Sequence, residues 1–266
     1  MALAFCLQTF GTSVGGKGDI HAAIDLCQLI SDIEPNYRND CYFMVVFRKD
    51  TPVDQQNRCV QNLREKFKAD GFVARNYGTG HPFGSNMLWI SAMSEIQGQA
   101  RDKKKFPYNG ALTFEADCIP MRTDWISALT KEWNEKVINA GEWTEEEADP
   151  DTGRVLGWPK YELMAHWDRD HFNGNMVLRP DILTRVAIPY TTNLGWDYLN
   201  KDRLKRHGYD TNMILQHYRR GSISKEEIPF FTKNGEVPAL FHGVQDKIGV
   251  QARKIMREIL VDGVTV

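Results

Sequence analysis

Apolar positions along the chain follow two patterns, nearly continuous runs and runs at helical spacing. Residues 3–10 form a short apolar run, broken only by Gln8 and Thr9 near its end, which predicts a buried strand. Residues 11–18 are glycine-rich and read as a loop. Over 20–33, Ile20, Ala23, Ile24, Cys27, Ile30 and Ile33 recur at helical spacing, with Leu26 and Leu29 widening the stripe. Residues 41–47 predict a second buried strand, stopped by Asp50-Thr51-Pro52. A helix is predicted over 53–70, with Val60, Leu63 and Phe67 on one face, then a brief strand over 72–74. The loop Tyr77-Gly78-Thr79-Gly80-His81-Pro82-Phe83-Gly84 leads into a helix over 85–96. A strand over 111–114, a turn over 117–123 and a helix over 125–133 follow. This order predicts an α/β fold with a mostly parallel central sheet flanked by helices. Ligands in such sheets bind beyond the carboxyl ends of the strands.

The second half is less regular. Residues 142–153 are acidic and read as a solvated loop. The segment 171–178 and helical stretches after Pro180 and Asp210 complete the chain. No proline- or serine-rich linker divides it, which favours one continuous domain. At 266 residues and a formal charge of −2, the composition is that of an ordinary globular protein. The near-neutral balance argues against a protein devoted wholly to electrostatic nucleic-acid binding, though it allows a local basic strip. Cys6, Cys27, Cys41, Cys59 and Cys118 are odd in number, and none sits at Cys-x-x-Cys spacing. They read as reduced, buried thiols, which points to a cytoplasmic compartment. The first residues lack the basic start and long apolar run of a signal peptide, and no apolar run is long enough to span a membrane.

The segment Ala111-Leu112-Thr113-Phe114-Glu115-Ala116-Asp117-Cys118-Ile119-Pro120 carries the first candidate chemistry. Two acids spaced by one residue after a buried strand repel each other unless a cation offsets the charge. A capped turn, with Asp117 bonding backbone amides, is the alternative. Phe114-Glu115-Ala116-Asp117, followed by Pro120 and Asp124-Trp125, resembles the metal-binding motif of GT-A-fold glycosyltransferases. That motif is usually Asp-x-Asp, and Glu115 stands in its first place here.

The resemblance implies that Asp117 coordinates Mn²⁺ or Mg²⁺ on the diphosphate of a sugar nucleotide, a UDP-sugar first among them. Glu115 would reach the ribose, or the metal through water. It further implies a late histidine ligand, and Phe241-His242-Gly243 offers His242, with Lys247 placed for a phosphate. Gly84 and Asn86 would flank the nucleotide, and Gln8, Thr9, Phe10 and Arg48 would meet its nucleoside. Asn173-Gly174-Asn175 would lie beside the donor sugar. Asp197, in Leu194-Gly195-Trp196-Asp197, would be the general base for the acceptor hydroxyl, with Asp210 and Asp246 next in line. On this basis 1–125 forms a nucleotide-binding half and 126–266 an acceptor-binding half.

Each of these segments also has a plainer explanation. A lone histidine is commonly a structural hydrogen bonder, Asn-Gly-Asn can be a hairpin turn, the glycine loop can be a surface turn, and Asp197 can cap a helix. His166 and His171, with Asp168 and Asp170, match no common zinc spacing. The chain also resembles glycosyltransferases that phages direct at hydroxylated or hydroxymethylated DNA bases. The basic groups Arg101 with Lys103 to Lys105, and Lys201, Arg203, Lys205, Arg206, Arg219 and Arg220, would then meet phosphates. An acceptor among glycan precursors competes with DNA. A nucleotidyltransferase is the rival activity, with Gly15-Gly16-Lys17-Gly18 as its phosphate loop.

Overall fold

The computed structural model describes residues 2–9, 19–75, 82–102, 106–149, 153, 158–168, 171–188, 193–216, 224–243 and 246–264, without the side chains of 145, 168, 171, 173, 246 and 247. The elements in chain order are β1 (Ala2–Thr9), α1 (Ile20–Ile33), β2 (Arg38–Phe47), α2 (Val53–Arg64), β3 (Phe67–Val73) and α3 (Phe83–Ala100). β4 (Tyr108–Glu115), β5 (Cys118–Pro120) and α4 (Trp125–Glu132) follow, the last continued by a π-helical turn, Trp133–Ile138. The second half holds β6 (Leu163–Asp168), β7 (His171–Leu178), α5 (Trp196–Leu199), α6 (Lys201–His207), β8 (Gly208–Asp210), β9 (Ile214–Gln216), β10 (Leu240–His242) and α7 (Asp246–Leu260).

Seven strands form one sheet in the order β3-β2-β1-β4-β7-β6-β8. β3, β2, β1 and β4 run parallel, β7 lies antiparallel between β4 and β6, and β8 is parallel to β6. The expected mostly parallel sheet flanked by helices is therefore present. Strands from both halves of the chain share it. A second, three-stranded sheet runs β5-β10-β9.

The continuous apolar runs reflect burial on both faces. In β1, Leu3, Phe5 and Leu7 face a core that includes α1, α2, α4 and α7, while Ala4 and Cys6 face the core built on α3. β2 alternates likewise, with Phe43 and Val45 on the first face and Met44 and Val46 on the second. Phe5, Phe43 and Trp125 pack ring against ring within the first core. Gly110 has a packing reason. A Cβ there would stand 2.6 Å from the buried Trp133 ring and 2.8 Å from Leu3, so a side chain would cost about 1–3 kcal/mol in overpacking.

α1 spans the predicted 20–33. The helix predicted over 53–70 stops at Arg64, and Phe67–Val73 is a strand. Val60, Leu63 and Phe67 do sit at helical spacing. However, Phe67 and Ala69 are buried while Lys68 and Asp70 are exposed, and that alternation belongs to a strand. The turn predicted over 117–123 contains β5, because buried Cys118, Ile119 and Pro120 pair with β10. Asn173-Gly174-Asn175 lies inside β7 and makes no hairpin turn. All five cysteines are free and buried. Among the described residues, no helix is long and apolar enough to cross a membrane.

Candidate active site at the carboxyl end of β4

The acidic segment begins where β4 ends. Glu115 is the last residue of β4, paired in register with Gln8 of β1. Ala116 and Asp117 turn the chain, and β5 then enters the small sheet. There Cys118 stands opposite His242 in the β5–β10 ladder. This pairing brings residues 125 positions apart in the chain into contact. His242 Nε2 lies 2.9 Å from Asp117 Oδ1 and 3.1 Å from Glu115 Oε2. Side-chain exposure is 8% for His242, 14% for Asp117 and 34% for Glu115, so the cluster opens on the Glu115 side.

Burial alone would pull the His242 pKa down, but the Asp117 and Glu115 carboxylates outweigh it and push it up to about 10. The imidazolium thus serves as the cation between two carboxylates. Its Nδ1–H donates to Gln216 Oε1 of β9, and the Gln216 backbone N–H donates to His166 Nδ1 at 2.9 Å. Gln216 therefore fixes the ring with Nε2 turned toward the acids. Asp117, Cys118 and His242 also form a group with ligand atoms within 4.8 Å of one another. Burial pushes the Cys118 thiol well up, and its Sγ donates to Asn175 Oδ1 at 3.2 Å, so it is a poor anionic ligand.

Two residues hold the turn in place. Asn175 of β7 is buried, and its Oδ1 also accepts the Glu115 backbone N–H at 2.9 Å. Arg253 of α7 is buried beneath the turn and donates to the Ala116 carbonyl at 3.4 Å. Next to Asn175, the Gly174 carbonyl accepts from Thr113 Oγ1 at 3.0 Å. A Cβ at Gly174 would lie 3.9 Å from both Asp197 Oδ2 and Trp196 Nε1. The Asp197 carboxylate therefore borders the same stretch of β7 that supports the acidic turn. Its Oδ1 accepts the Tyr198 N–H at 2.9 Å.

Gln8 and Thr9 end β1 at this edge of the sheet and are buried, and the Thr9 hydroxyl donates to the Val46 carbonyl. Phe10 and the loop 11–18, including Gly15-Gly16-Lys17-Gly18, lie outside the described residues. Arg48 follows β2 and is paired bidentately with Asp50 through Nε and Nη2. Gly84 lies in the first turn of α3 and is buried. Asn86 is fully buried and bonds the backbone of Leu194 and Trp196. Asp210 Oδ1 accepts from Trp167 N–H at 2.9 Å and Lys233 Nζ at 2.7 Å. The side chains of Asn173, Lys247 and Asp246 lie outside the described residues, as do those of Asp168, Asp170 and His171.

Of the basic residues on α6, Arg203 turns inward to the buried Glu162 at 3.0 Å. Lys201 and Lys205 rest over the rings of Tyr198 and Trp167, at 4.6 and 5.4 Å. Lys103 to Lys105, Arg219 and Arg220 are outside the described residues. The site residues that sequence reasoning missed are Gln216, Arg253 and the supporting role of Asn175. Gln216 and Arg253 stand in segments with no motif, so only their contacts mark them.

No protein-family model matches the chain, and no curated protein sequence matches it either. Solved structures do. An active-site mutant of LgtC covers 100% of this chain and 97% of its own, at 13% identity and a TM-score of 0.50. The fold is GT-A-like. LgtC solved with donor and acceptor sugar analogues gives 13% identity, the same coverage and a TM-score of 0.49. Mouse xyloside xylosyltransferase 1 in its apo form gives 11% identity, covers 91% of this chain and 97% of its own, and has a TM-score of 0.49. At such identities the GT-A-like likeness concerns the fold alone.

Proposed function

We propose that the chain is a metal-dependent glycosyltransferase that moves a sugar from a nucleoside diphosphate sugar to a hydroxyl acceptor. The observation that carries this is the convergence of Asp117 and Glu115 on His242 Nε2 at the carboxyl end of β4. That edge is where open α/β sheets bind ligands. The two carboxylates suit Mn²⁺ or Mg²⁺, hard cations that favour oxygen donors, and the imidazole nitrogen favours the softer Mn²⁺ of the two. The Asp117 and Glu115 carboxylates make this point negative, and a bound ion would displace the proton that they hold on His242. Asp117 and His242 would hold the ion, with Glu115 on its open side or on the ribose.

A bound ion would neutralise the charge that grows on the leaving diphosphate. The protein's own part is positioning and proton transfer. Gln8 and Arg48 border the carboxyl ends of β1 and β2, where a nucleoside would lie. Gly174, without a side chain, lets a donor sugar approach β7 beside Asp197. The Asp197 carboxylate takes the acceptor hydroxyl proton as that oxygen bonds to the anomeric carbon. The bond from that carbon to the diphosphate breaks, and the nucleoside diphosphate leaves with the electron pair. UDP-sugars are the donors to try first.

The acceptor is an open hydroxyl class, with hydroxylated or hydroxymethylated pyrimidines in phage DNA as one arm and glycan precursors as the other. The inward turn of Arg203 removes one cation from the strip that DNA would use. The deciding experiment is a panel of nucleotide sugars with Mn²⁺, read by thermal stabilisation and by sugar transfer. Stabilisation and transfer by one nucleotide sugar are expected. Pyrophosphate release from a nucleoside triphosphate and a sugar phosphate, without transfer, would replace this activity with nucleotidyl transfer.

A further inference from the structure

Asp197 stands on α5, a helix of four residues, too short to hold its own geometry. α5 buries only Trp196, at 4% exposure, whereas Leu194, Tyr198 and Leu199 are 43%, 37% and 36% exposed. The place of this segment must therefore be set from outside it.

α3 does so with two side chains on one face, three residues apart. Asn86 is fully buried. Its Nδ2 donates to the Leu194 carbonyl at 2.9 Å, and its Oδ1 accepts the Trp196 N–H at 2.8 Å. The two bonds straddle Gly195. Trp89 stacks on Trp196 with centroids 3.7 Å apart and planes 13° from parallel. A Cβ at Gly195 would stand 2.6 Å from Asp197 Oδ1, so the carboxylate folds back over that glycine. At the far end, Asn200 Nδ2 donates to the carbonyls of Trp196 at 2.8 Å and Ala187 at 2.9 Å, which closes the segment.

Both polar atoms of the Asn86 amide are thus engaged on backbone, and no part of the side chain is exposed to a donor. We propose that Asn86, backed by Trp89, is a positioning residue that fixes the Leu194–Trp196 backbone and so aims the Asp197 carboxylate across Gly174. This rests on the proposed role of Asp197 as base. A buried amide that bonds both sides of one residue fixes the direction of the chain there. A carboxylate that must meet an acceptor hydroxyl at hydrogen-bond distance depends on that direction.

The test is a double-mutant cycle on transfer activity, with donor affinity measured by UDP titration. Asn86→Ala should lower kcat by about 10–100-fold in the native background, with UDP affinity unchanged. In an Asp197→Asn background the same change should cost less than about twofold, because no base is left to aim. Full transfer by Asp197→Asn alone would overturn the base assignment itself. A slow Asp197→Asn enzyme in which Asn86→Ala still costs its whole factor would overturn the positioning role and leave the base assignment standing. Weaker UDP binding by Asn86→Ala would return Asn86 to the donor site and overturn the inference. Should Asn86→Ala fail to fold, Trp89→Phe keeps an aromatic face and is run through the same cycle, with the same coupling expected.

Discussion

The acidic turn after β4 and the short helix α5 hold their carboxylates by different means. Asp117 and Glu115 are set chiefly by the strands on either side of their turn, with two side chains bonding the turn itself. β4 lies within the sheet, β5 pairs with β10, and Asn175 and Arg253 bond the turn from β7 and α7. Asp197 is set by side chains. Its helix is largely exposed, and two α3 residues plus Asn200 tie it down. A ladder fixes a position through many shared bonds, so single changes nearby should alter its chemistry more than its geometry. A side-chain tether fixes a position through two or three bonds, so single remote changes should move it.

The largest effect should come from the acid in the turn between the two ladders. Asp117→Asn is expected to lower kcat/KM for transfer by roughly 10⁴-fold, the several kcal/mol a metal supplies to developing charge, and to lower the melting temperature of the metal-free chain, because His242 loses a carboxylate partner. Initial rates over a range of nucleotide-sugar concentrations with Mn²⁺ would show it, and intact transfer would remove the metal role. Asp197→Asn comes next, with a loss of about 10²–10³-fold in kcat and little change in metal or UDP affinity. That split between kcat and binding separates the two carboxylates.

Gln216→Ala probes whether the metal centre is as rigid as its ladders suggest. Losing the acceptor for His242 Nδ1–H should weaken Mn²⁺ binding by about 10–100-fold in calorimetry. An unchanged affinity would mean that the strands alone aim the ring. The smallest effect is one of pH. His242 carries a proton in the metal-free chain, its pKa being pushed up to about 10 by Asp117 and Glu115 against the opposing effect of burial. Metal must displace that proton, so Mn²⁺ affinity should rise by about tenfold per pH unit through neutrality, with a proton released on binding. In the metal-free chain the stabilisation from the imidazolium is complete below the ordinary histidine pKa of 6.5 and is lost as pH rises through about 10. Proton uptake in place of release would contradict the assignment of His242.

Much of the first half was legible in the chain. The helix over 20–33 is present as its stripe predicts, and the runs in β1 and β2 are buried strands because both sheet faces are covered. Asp117 and Glu115 could be singled out by residue type and spacing, and His242 through the family resemblance. The strand β3 was not legible, because Val60, Leu63 and Phe67 imitate a helix while Phe67 and Ala69 alternate with exposed neighbours. Nor was β5, three residues whose strand character comes from its partner β10.

The sequence by itself determined the alternation of strands and helices, since burial periodicity is a local property that each segment carries within it. It also determined that two acids follow an apolar strand, an arrangement that needs a compensating charge. Only the tertiary structure decided which groups supply it. The register of β5 against β10 puts His242 beside Asp117, and β9 brings Gln216 behind it. The same holds for Asn86, which the family resemblance placed beside the nucleotide and whose side chain accepts the Trp196 N–H more than 100 residues away. Such contacts depend on strand register and helix placement across the whole chain, and no local window of sequence contains them.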